Sequence, residues 1–402
     1  MEAVLGVVVV VAIKRHRICD YSHLFVMVSV ANIHASGYAQ SMPDRAAISL
    51  RRLDYQDWQP GAERVAVQAR AIHLQVPLER SNQMPNWVGD WSLDLTRTVD
   101  SISGASPLYH SYALRRFSDR RNAHDIRLTR HSDSAQIRLG YASSNESDFE
   151  SKAFSIFASR DIRQRTTSLH WGLARTSDSI LSMQGKRQPR ATLDVLLGLS
   201  HVASPTDLVQ LNLSHSRAEG YLSDPYKLID QRPGDRHAHA LTLRWNRHIP
   251  EYTSSFKTIY RYYDDTYGIQ SHTIQIEYAQ PFWGRLEAFT LTPSLRYYAQ
   301  TPADFYFGPA NAPRPTIPVG LGPQTLISLD QRLSAFGART VGLQLSYLGG
   351  SRMRPDFRID MKWEDYEQRD EWQHGLGRAP QALPALPGFR ARWLQLGFTT
   401  WY

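Results

Sequence analysis

From Ala46 to Tyr402 the chain alternates polar and apolar residues with a period of two. Ala135, Ile137, Leu139 and Tyr141 share one face of an extended segment, and Ser134, Gln136, Arg138 and Gly140 share the other. Leu241, Leu243 and Trp245 oppose Thr242, Arg244 and Asn246 in the same way. Ile274, Ile276 and Tyr278 oppose Thr273, Gln275 and Glu277, and Phe357, Ile359, Met361 and Trp363 oppose Arg358, Asp360, Lys362 and Glu364. Such alternation sends successive side chains to opposite faces of a strand, and helical spacing is sustained nowhere. It predicts strands at 46–55, 64–76, 87–98, 123–131, 134–143, 151–161, 166–175, 191–203 and 206–217, then at 236–247, 253–263, 268–279, 286–299, 325–334, 338–349, 354–366 and 390–402. The first of these is crowded by Arg51, Arg52, Asp54 and Asp57.

Short connections fall near 132–133, 162–165, 204–205, 248–252, 280–285 and 335–337. Long ones, rich in Gly, Pro, Asp and Arg, fall at 99–122, 176–190, 218–235, 300–324 and 367–389. Through residue 337 the two kinds broadly alternate. Tight turns at one end and long loops at the other are the habit of membrane barrels, and a soluble sandwich has no reason to sort them. The apolar face is tall, aromatic and repeated on nearly every segment. A consistent solution turns it to lipid and the charged face to a lumen, with the sheet closed so that no strand edge is left unpaired. The expected fold is therefore all-β: a transmembrane antiparallel β-barrel. Single-chain bacterial barrels usually have an even strand number, which gives about 16, with 14 to 18 allowed. The last segment, 390–402, ends on Trp401 and Tyr402. In a ring it pairs with the first and leaves an aromatic at the membrane interface.

Composition changes this picture little. The mean hydropathy is −0.43. No apolar stretch is long enough for a transmembrane helix, but barrel strands need only one apolar face. Tyr (20) and Trp (10) together outnumber Phe (14), which suits rings with one wet end. The only cysteine, Cys19, lies in the first 39 residues. That segment reads as a cleavable signal peptide. Lys14, Arg15, His16 and Arg17 form a basic start, Leu24 to Ala35 a short apolar core, and Gly37-Tyr38-Ala39 a cleavage site. The apolar run Ala3 to Ile13 precedes it and suggests that the start lies further in. Residues 40–402 are expected to form a single barrel domain without cysteine. Its charge of +7, against +8 for the whole chain, is dispersed. It suits an anionic lipid surface or anionic solutes, not nucleic acid.

Four longer motifs stand out. They are Asp100-Ser101-Ile102-Ser103-Gly104-Ala105-Ser106-Pro107; Gly220-Tyr221-Leu222-Ser223-Asp224-Pro225-Tyr226-Lys227; Arg261-Tyr262-Tyr263-Asp264-Asp265 with Gly268 to Thr273; and Arg296-Tyr297-Tyr298-Ala299-Gln300 with Ala303-Asp304-Phe305-Tyr306. In this order they resemble the bacterial outer-membrane barrel family catalogued as domain of unknown function 3570, from about residue 46 to the end. The resemblance implies the fold and an outer-membrane location, and it brings no activity or catalytic residues. It also implies a neighbourhood of exported flavin-transfer and thioredoxin-like proteins. Read physically, the motifs are loop architecture. Asp100, Ser103, Gly104 and Pro107 build a turn, and Tyr221, Asp224, Tyr226 and Lys227 a second loop able to touch a solute.

By parity the lumen face carries Arg127, Arg138, Arg244, Arg261, Glu277, Arg296, Asp330, Arg332, Arg358 and Asp360. Arg261 and Arg296 pair with Glu277, Asp330 or Asp360 as a wall network, or line an anion-preferring constriction. No phosphate loop, nucleophile elbow or paired helix histidines occur, so no catalytic, cofactor or metal residues are assigned. His237 and His239 share a face that points to lipid or the rim, and no carboxylate is placed by sequence to complete a triad with Ser168 and His170. Asp264-Asp265 lacks the further oxygens of a calcium loop.

The expected function is a channel or solute-binding transporter in the outer membrane of a Gram-negative bacterium, exported by the general secretory pathway and inserted by the barrel assembly machinery. Lipid and lipopolysaccharide surround it, and the loops at 99–122, 218–235 and 300–324 narrow it. The alternative is a plugged barrel that docks or assembles exported redox proteins, and a membrane-embedded enzyme is the third reading.

Overall fold

The computed structural model describes residues 42–59, 62–78, 89–105, 116–182, 184–225, 230–307, 325–351, 354–375, 377 and 388–402. The expected leader, residues 1–39, lies outside them, as do Pro107, Tyr226 and Lys227. The strands are β1 (Ala47–Gln59), β2 (Ala62–Leu78), β3 (Asp90–Ala105), β4 (Arg116–Ser132), β5 (Ala135–Asn145), β6 (Phe149–Ile162), β7 (Thr167–Leu181), β8 (Arg187–Val202) and β9 (Asp207–Gly220). They continue as β10 (Asp230–Gln231), β11 (Asp235–Ile249), β12 (Ser254–Asp265), β13 (Gln270–Pro281), β14 (Phe289–Gln300), β15 (Ile327–Ser328), β16 (Phe336–Gly350), β17 (Pro355–Arg369) and β18 (Phe389–Trp401). All but β10 and β15 form one closed antiparallel ring of 16 strands, each bonded to its neighbours in the chain, and β18 returns to β1. β10 and β15 pair only with each other.

The ring has one seam, and its register runs from Ala47↔Trp401 to Trp58↔Arg390. The Ser49 and Thr399 hydroxyls meet across it at 2.9 Å, and the Tyr402 amide donates to the Ala46 carbonyl at 2.9 Å. The crowded first segment is a true strand because its charges divide by parity. Arg51 and Asp57 turn inward, Arg52 and Asp54 outward.

Outward and inward faces follow from exposure. Leu139, Phe154, Trp171, Leu197, Leu213 and Leu295 are each 47–65 % exposed, while on β7 the alternate residues Ser168, His170, Ala174, Thr176 and Asp178 are buried. Large apolar residues in contact with the surroundings all round a closed sheet are the reverse of a soluble protein, and lipid is the solvent that suits them. Near the end that carries Ala47 and Trp401, outward rings neighbour one another. Trp245 lies 5.9 Å from Phe256, Phe289 4.9 Å from Tyr347, and Tyr347 5.9 Å from Phe357. Such an aromatic girdle marks a bilayer interface.

Sixteen of the predicted segments correspond one to one with the ring strands. The segment predicted at 325–334 is not a ring strand. It holds only the two residues of β15 and a single 3-10 turn, Gln331–Leu333. Its alternation is used up in a loop: Ile327, Leu329 and Leu333 are buried, and Asp330 caps the turn by accepting from the Arg332 amide at 3.1 Å. With that segment removed, 301–335 is one long connection, and the short connection expected at 335–337 disappears. The loop expected at 99–122 is largely β3 and β4, and the one at 176–190 is largely β7 and β8.

Candidate functional site

At the end opposite the chain termini, a small body of loops stands on the ring. It is built from 221–225 and 230–234, the turn 266–269, and the segments 301–307 and 325–335. Leu222, Tyr267, Ile269, Ala303, Tyr306 and Leu333 pack together with Ala218 of β9. Ala218 belongs to the inward face, as does Gln300, whose Nε2 donates to the carbonyls of Arg332 at 2.9 Å and Ser334 at 2.6 Å. The body is thus seated on lumen-facing side chains. The Ala303 amide donates to the Leu333 carbonyl and the Asp304 amide to the Tyr267 carbonyl, both at 2.8 Å, which ties both arms of the β14–β16 connection to each other and to the β12–β13 turn.

Turn chemistry explains the local shapes. Asp265 accepts from the amides of Tyr267 and Ile269, each at 3.0 Å, which fixes the tight β12–β13 turn as a short acid side chain can. Gly268 has φ +86°, and a Cβ there would sit against the Asp304 carboxylate. Gly268→Val is therefore expected to detach 301–307 from the turn, read as faster proteolysis of that segment while the ring's resistance to heat and detergent is unchanged. Asp265 also receives Arg236 and the Tyr263 hydroxyl, the latter at 2.7 Å, and the Arg236 guanidinium lies 4.6 Å over the Tyr267 ring.

Beside the apolar centre lies a network of three acids and two guanidiniums. Arg232 Nη2 donates to Asp330 at 2.6 Å and its Nε to Asp230 at 2.9 Å. Arg332 Nη2 donates to Asp224 at 2.5 Å and its Nε to Asp330 at 2.7 Å. Asp230 also accepts from the Asp224 amide. Burial pushes Asp230 above the ordinary carboxylate range, helped by Asp330 and Asp224 and opposed by Arg232. Arg232 is raised, since the three neighbouring acids outweigh its burial. Burial lifts the Tyr267 phenol to about 12.

The expected lumen residues divide in two. Arg127, Arg138, Arg244, Arg261, Glu277, Arg296, Arg358 and Asp360 all lie on the inward face of ring strands, by register and parity. Asp330 and Arg332 do not; they belong to the mouth network. The wall acids carry further pairs. Glu277 takes Lys257 at 2.9 Å, and Asp360 takes Arg51 at 3.0 Å and Arg358 at 2.7 Å. Arg261 lies 5.0 Å over the Tyr263 ring. Arg138 donates to Thr129 at 3.2 Å and lies 5.7 Å over Phe157. The paired tyrosines straddle their strands: Tyr262 and Tyr297 turn outward, Tyr263 and Tyr298 inward. Of the motif residues, Asp224 joins the mouth network and Tyr221 donates its amide to the Pro189 carbonyl at 3.0 Å. Ser103 and Gly104 are on β3 rather than in a loop, and Asp100 is buried against Arg121 at 2.7 Å.

Three other polar clusters occur among the described residues. Ser200 Oγ meets His170 Nε2 at 2.9 Å, but Asp161 is taken by Ser168 at 2.6 Å, and His170 Nδ1 has no hydrogen bond. Among the described residues no carboxylate holds the Nδ1 side of that imidazole as in a catalytic triad. His215 Nδ1 lies 3.3 Å from His239 Nδ1 on the outward face, close enough for one ring to donate to the other. Asp119, Glu146 and Asp148 gather where β5 turns into β6.

A closed ring with a lipid-facing apolar exterior, a charged interior and loops folded over one opening defines a membrane-spanning β-barrel. Its sequence matches the family described as protein of unknown function DUF3570 over residues 92–193 and 182–400, and the chain belongs to that family. No curated protein matches it. Among solved structures it resembles OccAB4 of Acinetobacter baumannii (9 % identity, 90 % of this chain and 99 % of that one, TM-score 0.44). It also resembles Pseudomonas aeruginosa OccK2 (OpdF) in complex with glucuronate (10 %, 90 % and 100 %, 0.43). A third is CdiB of Acinetobacter baumannii (8 %, 88 % and 60 %, 0.48). Likeness this distant carries nothing about what passes through or binds this chain.

Proposed function

We propose that the protein is an outer-membrane channel that admits small solutes, with a preference for anions, through a lumen partly roofed by the mouth body. The observation that carries the reading is the division of charge. Guanidiniums from β4, β5, β11, β12, β14 and β17 face inward, while the outward face of the same strands is apolar at mid-height. An interior of this kind is wet and attracts negative solutes. The closed ring fits an outer-membrane location, and the leader expected at 1–39 is consistent with export there.

The test is reconstitution of the purified barrel in planar bilayers. The expected result is stepwise conductance with a reversal potential on the anion side, together with gel mobility that changes on heating. A sealed bilayer at high protein load removes the channel reading. Heat-independent mobility would remove the barrel itself.

A further inference from the structure

The outward apolar run is not equally long on every strand. β8 presents Leu193, Val195, Leu197 and Leu199 in succession, whereas β1 presents only Ile48 and Leu50 before Arg52. Arg52 lies directly across from Arg70 of β2. Arg97 of β3 lies across from His124 of β4, and one outward place diagonally from Arg70. Three guanidiniums and an imidazole thus form a row across four adjacent strands, all exposed on the outer surface. One carboxylate is held in it: Asp54 takes Arg52 at 2.8 and 2.9 Å. No hydrogen bond or ion pair to the side chains of Arg70 and Arg97 occurs among the described residues.

Like charges directly opposite on paired strands repel, so this arrangement calls for an anion between them. Next to the row, toward mid-height, lie Leu50, Ile72 and Ile126, 45–55 % exposed. The surface is therefore amphipathic, with cations at the head and hydrocarbon directly beside them. Guanidinium pairs take phosphate oxygens in two-pronged bonds, and long basic side chains on a lipid-facing surface reach to headgroup level. The opposite interface carries the aromatic girdle instead.

We propose that the row Arg52, Arg70, Arg97 and His124 binds the phosphate of a phosphorylated lipid whose acyl chains lie along Leu50, Ile72 and Ile126. The inference rests on the membrane-spanning reading above and assigns the anionic leaflet to the mouth end of the ring.

The experiment uses the whole barrel in detergent, wild type and Arg70→Gln/Arg97→Gln. Lipid retention is read by native mass spectrometry and thermal stability with bisphosphorylated lipid A, dephosphorylated lipid A and inorganic phosphate. Wild type is expected to retain bisphosphorylated lipid A at least tenfold better than the double variant and to ignore the other two probes. Equal retention by the double variant overturns the proposal, as does equal retention of dephosphorylated lipid. Equal protection by inorganic phosphate would leave an adventitious ion only. A wild-type dimer abolished by the double substitution would hand the row to a second copy of the chain. Wild type that stays monodisperse without detergent defeats the membrane reading and this inference together. Heat-modifiable mobility combined with no lipid preference defeats this inference alone.

Discussion

Asp330→Ala is expected to raise single-channel conductance and make it noisy, while Asp230→Asn leaves it near wild type. Both are buried aspartates of the mouth network, but they do different work. Asp330 accepts from Arg232 and Arg332 at once, and so joins the loop after β9 to the loop after β14 across 98 residues. Removing it leaves two buried guanidiniums short of charge. Breaking buried pairs in this way costs about 3–5 kcal/mol, enough to free a body held by so few strands of its own. Asp230 is the third acid for two cations. Its carboxyl titrates above the ordinary range because burial disfavours the anion. The sign follows: its contribution to stability is fully present below the unfolded carboxylate pKa and declines as pH rises through the raised folded value. At neutral pH the amide should therefore be tolerated, and the variant's mouth should lose part of the wild type's pH dependence above about pH 4. Paired recordings of both variants from pH 4 to 8 check the contrast. If the two behave alike, the network does not hold the mouth.

Arg138→Glu is expected to carry the second large effect, on selectivity rather than on conductance. Thr129 and Phe157 position this guanidinium without cancelling its charge. An anion passing 4 Å from it in a water-filled lumen gains about 1 kcal/mol, about fivefold in partition, and reversing the sign turns that gain into a comparable cost. The anion-to-cation permeability ratio, from reversal potentials in a salt gradient, should drop by at least about fivefold. The shift should shrink in high salt as screening shortens the range of the field. An unchanged ratio would mean that solutes do not pass β5.

Much of the ring is legible in the sequence because lipid imposes a strict rule on it. Wherever a strand crosses mid-height, one face must be apolar, and the period of two is plain. The same rule explains what is illegible. β3 and β4 run past the apolar belt to Ala105 and Arg116, and there neither face is constrained; Asp100, Ser101 and Ser103 look like loop although they are strand. The opposite error at 325–334 has the mirror cause, since a loop with its own small core also interleaves apolar and polar residues, here Ile327, Leu329 and Leu333 with Ser328, Asp330 and Gln331, all of them buried. The wall residues were recoverable by parity alone. The mouth network was not, because Arg232 with Asp330 and Arg332 with Asp224 join positions 98 and 108 residues apart and leave no local pattern. One signal was available: Asp265 three places before Gly268 marks a tight turn, and two motif residues, Gly268 and Asp304, meet there.

The pairing of β1 with β18 has a kinetic side. Its hydroxyl contact joins residues 350 positions apart, so the ring cannot shut until the final segment has been delivered. Until then the nascent polypeptide is a curled sheet with two bare borders of amide and carbonyl groups, a template for tangling with its neighbours. Late closure is therefore a demand of the topology itself.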